Sequence, residues 1–371
     1  MRYVKHFMLG VFLLASIGAG INLTVDPFDI FGMPRIDHIN THKSIGVERL
    51  AKPLQAVARK PQTVILGSSR CLHGVDPKDL LETKAYNLSI AGALADELAA
   101  LANHVATATT AERLILCLDF VSFNDSRTQR AGFYTDVLGE FGWFRSLPRT
   151  VFSYAALKRS RNTLRNSLRG KPTAYRLDGF RPFEPRAGKA AGKMITPVAS
   201  FLSPGGAYRG FPNVQGKLAV FENLMKEITP DLSVTIIVPP VHAIQLEAIY
   251  AAGLWPLFED WKRGLTRICE SAQRICWDFA GYSPTTTESL DKPPRNFGDS
   301  SHFTPHIGRR ILMRISGQED NPDFGARMTV GNVDRLLADI RSAREVYRRN
   351  NPQDTEAVRK IASSYGLSDP Q

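Results

Sequence analysis

TVILGSSR, residues 63–70, sets four residues of buried-strand type directly before a glycine and two serines. A run this short, rich in β-branched side chains and closed by glycine, reads as a strand covered on both faces. Four more strand-type runs follow: AYNL (85–88), LILCL (114–118), SVTIIV (233–238) and ICWDF (275–279). Helix-type stretches separate them, 93–106 being rich in Ala, Leu and Glu, and 218–228 and 255–272 carrying apolar residues at helical spacing. Thr304 as N-cap and Pro305 at the first helical position open a last core helix over 306–315. The alternation predicts an α/β fold in which about five parallel strands form an open, doubly wound sheet.

Outward from this core, the alternation fails between about 126 and 215, which is read as an insertion after the third strand and a candidate lid. No Gly/Ser/Pro linker separates two patterned halves, so one α/β domain over 63–318 is expected. It follows an N-terminal segment (1–25) and an extension (26–62), and precedes a helical extension (319–371). The helix expected at 333–350 is charged on most faces and is predicted to pack weakly.

The net charge of +11 is concentrated rather than spread. From Lys158 to Lys193 there are eleven Lys and Arg against Asp178 and Glu184, interleaved with Gly and Pro, so a solvated surface segment is expected. Anionic lipid headgroups or an acidic polysaccharide are its alternative partners. Nucleic acid is not expected, because the N-terminus directs the chain out of the cytoplasm. Arg2 and Lys5 precede an apolar run from Phe7 to Val25, long enough for a bilayer core of roughly 30 Å, and Asp26 and Asp29 follow it. This predicts a single-pass anchor with the domain outside the membrane; a signal peptide cleaved near Ala15, Gly18 or Gly20 is the rival reading.

The four cysteines make no CxxC and no thiol metal site. Cys117 reads as a small buried hydrophobe, while Cys269 and Cys276 can pair in an oxidising compartment. The pairs His38/His42 and His302/His306 lack HExxH or an acidic third ligand, so no metal and no other cofactor is expected.

In doubly wound sheets reactive groups collect beyond the carboxyl ends of the strands. Gly67 lets the chain leave the first strand sharply and present the Ser69 hydroxyl there. In NFGDSSHFTPH (296–306), Asp299 and His302 are three residues apart, near enough in a turn for the carboxylate to orient the imidazole toward a serine. Arg70 beside the serine can bind an anionic group or form a salt bridge. His242, after Pro239 and Pro240, can face the site from the fourth strand or serve structurally.

LGSSR (66–70), YNLSIAG (86–92) and DSSHF (299–303) together resemble blocks one, two and five of the SGNH or GDSL-like hydrolases. The likeness is greatest to their membrane-anchored bacterial branch, which includes envelope-polysaccharide O-acetylation proteins and the D-alanine transfer protein of teichoic acid synthesis. VDPFDIFG (25–32) and WDFAGYSPTTTE (277–288) also look like segments of anchored members. The resemblance implies a flavodoxin-like SGNH fold, a Ser69–His302–Asp299 triad, and an oxyanion hole built from Ser69 and Gly92. It implies an envelope polysaccharide or other acylated glycan as substrate, in the periplasm or at the cell exterior, and a membrane O-acyltransferase as a possible partner. The chain departs from the family in lacking GxND after the third strand; Asn124 arrives late in DFVSFND and can donate only if its loop folds back. A catalytically silent, carbohydrate-binding or assembly subunit is the alternative.

Overall fold

A computed structural model describes residues 1–43, 47–81, 83–128, 132–183, 190–290 and 294–367. Glu184, Arg186 and Lys189 of the basic stretch lie outside the described residues.

The five expected strands form: β1 (Thr63–Leu66), β2 (Ala85–Asn87), β3 (Arg113–Cys117), β4 (Ser233–Val238) and β5 (Ile275–Asp278). They are parallel to their neighbours. Further along come a hairpin of β6 (Phe297–Asp299) and β7 (His302–Phe303) and a strand β8 (Ala326–Met328) that pairs antiparallel with β5. The main sheet therefore has six strands, one more than the sequence pattern gives, in the order β2-β1-β3-β4-β5-β8. The sequence of β8, ARM, is too short and too polar to announce a strand. Val64, Ile65 and Leu66 of β1 and Leu114 to Cys117 of β3 are wholly buried, as central parallel strands require.

The helices are α1 (Arg2–Val25), α2 (Glu48–Arg59), α3 (Ser69–Gly74), α4 (Ala95–Ala108), α5 (Gly142–Thr150), α6 (Tyr154–Leu168), α7 (Ala190–Leu202), α8 (Gln215–Glu227), α9 (Ala243–Ala251), α10 (Trp255–Ser271), α11 (Pro305–Ile315), α12 (Val333–Asn350) and α13 (Pro352–Ser364). At 24 residues α1 is long and apolar enough to cross a membrane. Phe7, Phe12 and Leu14 stand exposed on it, and only Ala19, Asn22 and Val25 are buried. Those three sit where α1 packs on α6: Asn22 donates to the Val151 carbonyl (2.7 Å) and accepts from the Ser160 hydroxyl (2.8 Å).

Two expectations fail here. The basic stretch is not merely a solvated segment, because its first part is α6, with a buried face of small residues, Ala156, Ser160, Thr163 and Ser167. Arg176 then pairs with Asp76 and Asp178. Nor does α12 pack weakly: Arg344 is buried, donates to both carboxylate oxygens of Glu247 (2.9 Å each) and lies over the Tyr250 ring. The helix also buries Val333, Leu337 and Tyr347 on the same side, so a narrow apolar stripe and a desolvated, bidentate pair hold it together.

Candidate active site

Ser69 opens α3, directly beyond β1. Its Oγ lies 2.9 Å from His302 Nε2, and His302 Nδ1 lies 2.8 Å from Asp299 Oδ1. With the ring proton on Nδ1, the imidazole donates to the carboxylate and its Nε2 accepts the Ser69 hydroxyl proton. Asp299 is buried, and its Oδ1 also accepts from the backbone N–H groups of Ser301 (2.9 Å) and His302 (3.0 Å). The β6–β7 turn thus sets both the backbone and the ring of His302.

Close packing brings this turn to the serine. A Cβ on Gly308 of α11 would lie 1.8 Å from the Gly74 carbonyl oxygen of α3, and a Cβ on Gly74 would lie 2.2 Å from the Phe303 ring. Phe303, beside His302, is therefore seated directly on the helix that Ser69 begins. Gly67 answers to the same kind of constraint: a Cβ there would lie 2.6 Å from Cys117 Cβ.

Cys117 is buried as expected, and it is also bonded to Cys71 in a disulfide that the sequence does not announce. Spacing along the chain hides this pair, because the parallel pairing of β1 and β3 is what brings the two residues together. The bond fastens α3, two residues past Ser69, to the end of β3, two residues before Asp119. Cys269 and Cys276 are also bonded.

A polar network surrounds the serine. The neighbouring Ser68 hydroxyl donates to Asp119 Oδ2, and Arg70 donates to Asp119 Oδ1 (2.5 Å) and through Nε to the Ser301 carbonyl (3.1 Å). Burial alone would lower the pKa of Arg70, but the facing charge of Asp119, followed by Tyr208, raises it. Arg70 is therefore salt-bridged, and it also lines the cleft. His73, one turn after Ser69, packs edge-on against His302 with centroids 5.6 Å apart, its Nδ1 2.9 Å from the Arg181 carbonyl. Burial takes the His73 pKa down to about 4, so at neutral pH it sets no second charge beside His302.

The serine faces a cleft of about 380 Å³. Ser68, Ser69, Arg70, Gly92, Asp119 and Ser301 form one side, and Ser200, Phe201 and 203–207, from the end of the insertion, form the other. Gly92 sits at φ 59°, a left-handed conformation that favours glycine, before α4. The Ala91 N–H is held by Glu48 Oε2 (2.7 Å). Ser69, as the first residue of α3, leaves its N–H without an intrahelical acceptor.

Two expected site residues stand elsewhere. Asn124 does not line the cleft: Phe120 and Phe123 turn into the core, and its side-chain oxygen accepts from the Ser126 N–H (3.0 Å) and hydroxyl (2.7 Å). His242 does not line it either. It is wholly buried as the N-cap of α9, with Nε2 2.9 Å from the Glu288 carbonyl, and burial lowers its pKa to about 4. Asp119, Ser301 and His73 are the residues of this site that sequence reasoning missed. Asp119 directly follows the third strand run and His73 lies one helical turn from Ser69, the signals that mark them.

Compared with known proteins, the chain matches no family model and no curated protein.

Proposed function

We propose that this chain is an exported, membrane-anchored serine esterase or O-acyltransferase of the SGNH type. The observation that carries the reading is the unbroken hydrogen-bonded series from Asp299 through His302 to a Ser69 hydroxyl that faces a cleft. The sheet order supports it, since 2-1-3-4-5 is a flavodoxin-like doubly wound order whose ligand crevice lies where β1 and β3 part. Ser69 follows β1 and Asp119 follows β3.

In this mechanism His302 takes the Ser69 proton as Oγ attacks an ester carbonyl, and the Ser69 and Gly92 N–H groups receive the oxyanion. Collapse expels the alcohol, which takes the proton back from His302 and leaves an acyl-serine. Attack by water completes hydrolysis; attack by a sugar hydroxyl completes acyl transfer. The chain lacks the GxND that would supply a third oxyanion donor after β3, and Asp119, which lines the cleft there, is paired with Arg70. An O-acylated envelope polysaccharide or related glycan is the proposed substrate class, and a membrane O-acyltransferase the proposed partner.

Export and anchoring are supported by α1, whose exposed apolar side chains call for lipid, and by two disulfides, which suit an oxidising compartment. The contacts of Asn22 with α6 favour an anchor that stays attached over a cleaved signal. The second reading, a silent glycan-binding or assembly subunit, draws on the missing GxND after β3, where the cleft is lined by the carboxylate of Asp119. Turnover of p-nitrophenyl acetate by the detergent-solubilised full chain decides between them. The proposed enzyme loses hydrolysis to background with Ser69→Ala; equal rates for wild type and Ser69→Ala would refute it.

A further inference from the structure

A second cavity, of about 920 Å³, lies between α2, α5 and α6. Arg49, Arg145, Arg149 and Arg159 face it, and among the described residues the carboxylates that line it are Glu48 and Asp136. Glu48 is already engaged by the Ala91 N–H and the Tyr175 hydroxyl, and Arg49 by Glu97 (2.8 Å through each of two nitrogens). Arg145 is exposed and has no carboxylate partner among the described residues. Arg149 pairs with Asp136 (2.7 Å) where both side chains are well exposed, a kind of pair worth little and readily exchanged for a stronger anion.

The cavity is amphiphilic, and its position explains why. Phe28, Tyr134 and Pro148 line it beside the arginines, and Phe144, Phe152 and Tyr154 of the same α5–α6 corner stand 66%, 66% and 81% exposed. The corner is fastened to the last turns of α1 through Val151 and Ser160, the residue after Arg159. With α1 in a bilayer, these aromatic rings and arginines stand at headgroup depth, where amphipathic rings and long cationic side chains partition.

We infer that this cavity holds the phosphate-bearing headgroup of a membrane lipid, with Arg145 and Arg149 on the phosphate oxygens and the exposed aromatic rings at the acyl-chain border. Guanidinium groups pair bidentately with phosphate, and an apolar rim has no use for a free anion. The inference rests on the anchor reading of α1 and is independent of the triad. Joined to the proposed acyl chemistry it names a substrate class, a glycan carried on a membrane lipid through phosphate, because Ala91 lines this cavity and Gly92 lines the cleft.

Calorimetric titration of the detergent-solubilised full chain with dihexanoyl phosphatidic acid, dihexanoyl phosphatidylcholine and inorganic phosphate tests it. The phosphatidic acid binds at least about tenfold more tightly than either comparator, and Arg145→Gln with Arg149→Gln weakens it at least about tenfold, as loss of charged hydrogen bonds predicts. The Arg→Lys versions of both bind between wild type and the glutamine variants, because lysine keeps the charge and loses the two-pronged contact, which separates lost charge from misfolding, and Ser69→Ala binds as wild type does. Equal affinity for inorganic phosphate, or titrations indifferent to the arginine substitutions, would overturn the assignment.

Discussion

Ser68 and Ser69 are chemically identical neighbours, and their partners separate them. The Ser68 hydroxyl is spent on Asp119, whereas Ser69 lies against His302. Ser69 is thus the residue an imidazole can deprotonate, and Ser68 helps hold the turn. Asp299→Asn leaves the shape of the turn and removes the charge that fixes the Nδ1–H tautomer. On the proposed mechanism kcat for p-nitrophenyl acetate falls on the order of 10⁴-fold. His242 gives a pH prediction whose sign follows from burial. Its folded pKa of about 4 lies below the ordinary 6.5, so between those values the unfolded chain binds a proton that the fold refuses. Stability is therefore lost as pH falls from 6.5 toward 4, by about 3 kcal/mol at most from this group. Melting temperatures of detergent-solubilised wild type and His242→Gln at pH 7 and pH 4.5 check it: the variant shows the smaller acid-induced drop, and parallel drops would contradict the assignment. Ser69, Asp299 and His302 were legible because each carries its chemistry in its type and order. The roles of Asn124 and His242 stay open in the sequence because the same side chains serve equally well in a site, in a turn or at a helix cap, and only the direction of the backbone decides.

At the scale of elements, the serine turn is pinned from two sides. The Cys71–Cys117 bond ties α3 to β3, and the contact of Gly308 with Gly74 ties α3 to α11. The disulfide closes a loop across residues 71–117, so its removal costs about 2–4 kcal/mol by restoring freedom to the unfolded chain. Cys71→Ala/Cys117→Ala, compared with wild type by chemical denaturation in detergent, is expected to show that loss and, on the proposed mechanism, slower turnover of p-nitrophenyl acetate, because both ends of the bond flank the site. An unchanged unfolding midpoint would show the bond to be dispensable. Strands β1 and β4 were legible to the residue, since a buried strand carries its own apolar signature. The burial of α6 and α12 was not legible, because their partners, Asn22 of α1 and Glu247 of α9, lie far away in the chain.

For the whole molecule, the apolar length of α1, the basic corner α5–α6 and the cleft form one arrangement, with the last turns of α1 holding the corner that stands beside the candidate site. The proposed anchor keeps the full chain in the membrane pellet after an alkaline carbonate wash, and its release into the supernatant would count against membrane insertion. The central claim is an activated serine. The most direct measurement is fluorophosphonate labelling of the full chain in native membranes, with the adduct located by peptide mass spectrometry. An activated Ser69 carries an adduct that vanishes in Ser69→Ala and in His302→Ala and survives in Ser68→Ala. No adduct on the wild type, or an adduct carried by Ser68, would contradict it.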